Sequence, residues 1–147
     1  MADSRQALTL DAAKKGIAGG DNIWAVIMDL PVSSAIATVV AFDDGSASIY
    51  LSSGGGFIGG GQKPPVRQAA QTLVAAAAAA RASFTPTTTF PLPAAGQVRF
   101  YARAGVGVLV ADASEEALKS GRHTLSQLFI AAQGVITAYR ALESKKP

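Results

Sequence analysis

The residues best suited to chemistry by type and spacing lie between Ser52 and Gly61, in the run Ser-Ser-Gly-Gly-Gly-Phe-Ile-Gly-Gly-Gly. Gly54, Gly56 and Gly59 have the spacing of the dinucleotide fingerprint, in which glycines permit a tight turn and let a pyrophosphate approach a helix N-terminus. The surroundings do not match. That fingerprint needs a strand–helix–strand unit and an acidic residue about 20 positions later, where this chain has an alanine run over 75–80. The phosphate-loop pattern also fails, because Gly61 is followed by Gln62-Lys63-Pro64 instead of Lys and a hydroxyl residue. Pro64 and Pro65 lack the backbone N–H groups that hold a phosphate at a helix start. Two readings stay open for the loop. It is a turn shaped by its own backbone, or an anion site using Gly54, Gly55, Gly56, Gly59, Gly60 and Gly61 with Lys63 and Arg67 beside them.

Other reactive residues have plainer explanations. His123 is the single histidine, so an acid–base mechanism relying on His has one candidate. Thr124 and Gln127 have capping-box spacing, which puts His123 just before a helix cap and opposite Leu128. Asp43-Asp44 suits a hairpin turn and Glu115-Glu116 a helix start, so neither pair calls for a metal. The pattern Gly-x-Ser-x-Gly of a nucleophile elbow is absent. No catalytic residue, metal ligand or cofactor is assigned. The absence of cysteine excludes disulfides, zinc–thiolate and iron–sulfur sites and a thiol nucleophile. Arg99, Tyr101 and Arg103 alternate along a predicted strand and share one face, as a solvated or helix-covered sheet surface or as an interaction face.

These residues need positioning elements. A helix is expected over 4–15, closed by Gly16. The continuous apolar run 23–28 predicts a central strand buried on both faces, and 30–34, with Pro31, predicts a turn. A second strand covers 36–42, a hairpin turn falls at Asp43-Asp44-Gly45, and a third strand follows with Ala47, Ile49 and Leu51 on one side. A long helix runs from Pro64 to Arg81 or beyond, with Val66, Ala69, Ala70, Leu73, Ala77 and Ala80 toward the core. The proline-rich stretch 83–96 reads as a long internal loop. A second hairpin pairs 98–103 with 106–111, and 112–116 starts a short helical turn ended by Gly121. A last helix over 124–142 presents Leu125, Leu128, Phe129, Ala132, Val135, Ile136, Tyr139 and Leu142 to the interior.

The expected fold is therefore α+β: one domain over residues 1–147, a five-stranded antiparallel sheet flanked by helices in the order α-β-β-β-α-β-β-α, with 1–3 and 143–147 flexible. At 49% hydrophobic and 16% charged residues, the chain falls below the ~25% charged residues common in soluble proteins, and a low-charge surface favours self-association. The +3 net charge is dispersed, without the clustered cations and stacking aromatics of a nucleic-acid binder. Neither end reads as a targeting segment and no apolar run has membrane-spanning length, so the expected address is cytoplasmic, with neither nucleic acid nor membrane as partner.

This order of elements resembles the roadblock/dynein light chain group and, more broadly, the profilin-like folds. The segments LSSGGGFIGGG and GRHTLSQLF resemble an uncharacterised bacterial family of that fold. The resemblance implies homodimerisation and a non-catalytic role as an adaptor or regulator, often of a small GTPase. The sequence reading favours a homodimeric interaction domain, with small-ligand or nucleotide binding at 54–61 as the alternative.

Overall fold

The computed structural model describes residues 22–32, 35–57, 63–105 and 107–144. The helix expected over 4–15, and Gly59, Gly60 and Gly61, lie outside the described residues, as do 145–147. A single antiparallel sheet carries the fold, in the spatial order β4-β3-β2-β1-β6-β7-β5. Its strands are β1 (Ile23–Val32), β2 (Ala35–Phe42), β3 (Ala47–Leu51), β4 (Gly56–Phe57), β5 (Thr85–Thr87), β6 (Gln97–Ala104) and β7 (Gly107–Ser114). The helices are α1 (Pro64–Ala79), α2 (Glu115–Lys119) and α3 (Ser126–Ser144).

The five long strands are the five read from the sequence, and β1 is central between β2 and β6. The expected five-stranded sheet is corrected by β4 and β5, two short strands that close the two edges. The sequence hid both for physical reasons: β4 begins at a glycine, and β5 contains Pro86, tolerated because a proline on an edge strand costs little pairing. The loop expected over 83–96 is corrected accordingly, since a 3-10 turn spans Arg81–Ser83 and Thr85–Thr87 pairs with β7. A second correction concerns 30–34. β1 continues through Pro31, paired with Ile36, while its register with β6 ends at Asp29↔Arg99. Pro31 thus sits where β1 has a neighbour on one side only.

α1 and α3 pack together over one face of the sheet. The shared core holds Val66, Ala70, Leu73 and Ala77 of α1, Leu128, Ala132 and Val135 of α3, and Val26, Met28, Val39, Phe100 and Leu109 from the strands. Alanines at 69, 70, 76 and 77 let α1 lie close to α3 and the sheet, while their helix propensity stabilises the backbone. Tyr139 ties the layers together, its hydroxyl donating to the buried carbonyl oxygen of Ala47 at 2.6 Å.

The end of β7 and the short helix differ slightly from expectation. β7 runs to Ser114, whose Oγ caps α2 by accepting from the Ala117 N–H at 3.1 Å. Glu115 and Glu116 fill the first turn, and Lys119 reaches back to Glu115 at 3.1 Å. α3 begins at Ser126, not Thr124. His123 Nδ1 accepts from the Leu125 N–H at 3.0 Å, and buried Ser126 Oγ accepts from the His123 N–H and donates to the Leu118 carbonyl. The capping box expected at Thr124 is replaced by this His123–Ser126 turn. At the other end α3 continues to Ser144, into the segment expected to be flexible.

Candidate binding surfaces and cleft

The glycine run opens as a hairpin turn. Gly54 N–H donates to the Leu51 carbonyl at 2.9 Å, and Leu51 N–H donates to the Gly55 carbonyl at 3.2 Å. Gly54, Gly55 and Gly56 have φ of 109°, 81° and 152°, a region that glycine occupies without strain. At Gly56 a side chain would overlap the carbonyl oxygen of Ile49, so the close pairing of Tyr50 with Gly56 also requires glycine. Lys63 and Arg67 are exposed at the start of α1, whose first turn holds Pro64 and no acidic residue. The stem of Arg67 lies across Gly45 in the β2–β3 turn. The described part of the loop is thus organised by its own backbone, with two cations nearby.

The sheet face opposite the helices carries its side chains in rows. Tyr50, Thr38, Asp29, Arg99 and Asp112 stand side by side across β3, β2, β1, β6 and β7. Asp29 is fully buried and accepts from Thr38 Oγ1 at 2.8 Å, while Arg99 Nη2 meets Asp112 at 3.1 Å. The next row is largely apolar, with Val40, Ile27, Tyr101 and Val110. Arg103 lies in a third row, its guanidinium 5.7 Å from the Trp24 ring centroid, and burial holds it below its ordinary pKa.

The alternation of Arg99, Tyr101 and Arg103 onto one face is as the sequence requires. Their accessibility is less than an interaction face needs, since Tyr101 and Arg103 are 2% and 6% exposed. The segment after β5 crosses this face. Pro91 carbonyl oxygen accepts from Tyr101 Oη at 2.8 Å and from Arg99 Nη1 at 3.0 Å, and Phe90 meets the Tyr101 ring edge-on. Only Arg99 of the three remains partly open to a partner.

Two further surfaces lie on the helix side. The outward stripe of α3 is Gln127, Ile130, Gly134, Thr137 and Ala141, and that of α1 is Gln68, Thr72, Ala75 and Ala79. Neither stripe holds a charge, and Ile130 is 54% exposed. The second is a cleft of about 630 Å³ between α3 and the ends of β1, β2 and β3. Leu30, Ala37, Ile49 and Leu51 form its floor, and Phe129, Gln133, Ile136 and Arg140 its helical wall.

The sequence reading missed this cleft and the Asp29–Thr38 pair. A carboxylate at the end of an otherwise apolar strand is a legible signal for the pair. The wall was half visible too, as residues 129, 133, 136 and 140 have helical spacing. No three acidic or histidine side chains gather as a metal site among the described residues, and no described helix is long and apolar enough to cross a membrane. No family model, curated protein or solved structure matches the chain.

Proposed function

We propose that this chain is a non-catalytic interaction domain that works as a homodimer, joined through its helix layer. The observation carrying this reading is the α3 stripe: Gln127, Ile130, Gly134, Thr137 and Ala141 recur at alternating steps of three and four, uncharged throughout, with exposed Ile130 as the one large apolar side chain. That spacing is the seam along which helices pair, and small residues allow close approach. Sheet edges are the poorer alternative. β4 is two residues long and β5 carries Pro86, the devices by which sheets avoid edge-to-edge pairing. A two-fold axis along the seam would bring each stripe against its copy. The resemblance to roadblock-like proteins adds a protein partner such as a small GTPase, which the dimer would regulate.

Sedimentation equilibrium across a wide concentration range tests this. The expected result is a dimer that Ile130→Lys converts to a folded monomer. A wild-type monomer at all concentrations refutes it. Anion binding at the glycine-rich loop is a second reading, favoured by exposed Lys63 and Arg67 beside it. Saturating phosphate or nucleotide should then raise the melting temperature, since 100-fold excess over Kd adds about 2.7 kcal/mol; no shift removes it.

A further inference from the structure

The cleft beside α3 differs chemically from the seam. Its helical wall is the stripe Phe129, Gln133, Ile136 and Arg140, about 60–120° around the helix from Ile130 at 100° per residue. From Phe129 to Arg140 this wall runs about 16 Å at 1.5 Å per residue. The opposite wall is the core-facing side of β1, β2 and β3 at Leu30, Ala37, Ile49 and Leu51. The cleft is therefore long and mostly apolar, with Gln133 between Phe129 and Ile136 on its helical wall and Arg140 at one end.

The charges around the cleft set what fits. Glu115 and Lys119, which also line the cleft, neutralise each other through their 3.1 Å ion pair. Arg140 is exposed and has no ion-pair partner among the described residues. Among the described residues Arg140 is thus the one uncompensated cation of the cleft, and beside an apolar trough it matches a ligand with one negative group and an unbranched apolar chain. A dianionic phosphate ester would leave a charge unmatched, and an amine would be repelled. The volume is within the ~300–1,000 Å³ range of small-molecule sites.

We propose that this cleft binds a medium-chain monocarboxylate, Arg140 taking the carboxylate and the Leu30–Ile49–Phe129 trough taking the chain. Arg140 lies off the Gln127–Ala141 seam, so this proposal and the homodimer stand or fall separately. The carboxylate sits at the solvent-exposed rim, so its attraction to Arg140 weakens as salt screens it. The chain contributes in proportion to the methylenes it buries, at about fourfold in Kd for each.

Isothermal titration of the full chain with hexanoate, octanoate, decanoate and dodecanoate tests this, with 1-octanol and octylamine as controls. The expected result is affinity that rises with chain length by up to about fourfold per methylene, then levels off once the trough is full. Octanoate should bind more tightly than 1-octanol, and octylamine should not bind. Arg140→Gln should weaken octanoate about tenfold at low salt without changing 1-octanol or the oligomeric state. Ile136→Trp, which fills the trough with apolar bulk, should block every member of the series. The proposal is overturned by absence of binding across the acid series, by equal affinity for octanoate and 1-octanol, or by an unchanged octanoate affinity in Arg140→Gln. A peptide with an apolar C-terminus that binds here while all the acids fail would equally overturn it.

Discussion

Replacing Gly54, Gly55 and Gly56 by alanine, one at a time, measures how far the glycine-rich turn is fixed by its own backbone geometry. Gly54 and Gly55 have φ of 109° and 81°, and a Cβ added at either would meet nothing within 4 Å. Their cost is the backbone strain alone, about 1–2 kcal/mol for an L residue in the left-handed region. About 0.4–1 kcal/mol is returned because alanine restricts the unfolded chain. A net loss of about 1 kcal/mol is expected at Gly55, and somewhat more at Gly54, which lies farther from the left-handed minimum.

Gly56 is different in kind. Its φ is 152° and an added Cβ falls well under 3.0 Å from the Ile49 carbonyl oxygen, which is backbone and cannot swing aside. β4 must then leave β3, giving up the Tyr50↔Gly56 and Ile49↔Phe57 pairs. At about 1 kcal/mol net per hydrogen bond, plus the strain, the loss is about 2–4 kcal/mol. Because β4 is a two-residue edge strand, the damage stays local. Urea unfolding followed by buried Trp24, the single tryptophan, gives the global stability. Amide exchange at Leu51 and Gly54, both bonded within the turn, reports the local opening. Gly56→Ala within about 0.5 kcal/mol of Gly55→Ala, with unchanged exchange at Leu51, would show that the Ile49 carbonyl does not exclude a side chain at Gly56.

Tyr139→Phe should cost about 1–2 kcal/mol in urea melts, because it leaves the buried Ala47 carbonyl without its 2.6 Å donor. Ser126→Ala should cost about 1–3 kcal/mol, since the buried hydroxyl links the His123 N–H to the Leu118 carbonyl across the α2–α3 turn; differential scanning calorimetry reads the loss. Gly134→Ala should stabilise the dilute monomer by about 0.5–1 kcal/mol, as Gly134 is mid-helix with open space where a Cβ would stand.

The main architecture was readable because burial leaves period-specific marks. The unbroken apolar run at Ile23–Met28 announced the central strand, and Leu128, Phe129, Ala132, Val135 and Tyr139 announced the buried face of α3. Short elements left no such mark. Two residues at Gly56–Phe57 and three around Pro86 have too few side chains for a period, and their strand geometry comes from the neighbour they pair with. Tertiary context likewise overrode local signals at Pro31, tolerated where β6 no longer pairs, and at Thr124, where His123 supplies the turn's acceptor instead. Alternation alone put Arg99, Tyr101 and Arg103 on one common face, but that this face lies away from the helices and is crossed by Phe90 and Pro91 was beyond any local pattern. The cleft was invisible for a similar reason, since its lining comes from β1, β2, β3, α2 and α3.

The proposed homodimer is tested most directly by a distance across its axis. The chain has no cysteine, so Thr137→Cys places a single spin label on each copy, on the exposed seam of α3. Double electron–electron resonance should give one narrow, short intermolecular distance, lost on diluting labelled with excess unlabelled protein. No dipolar coupling at concentrations well above any dimer dissociation would contradict the account.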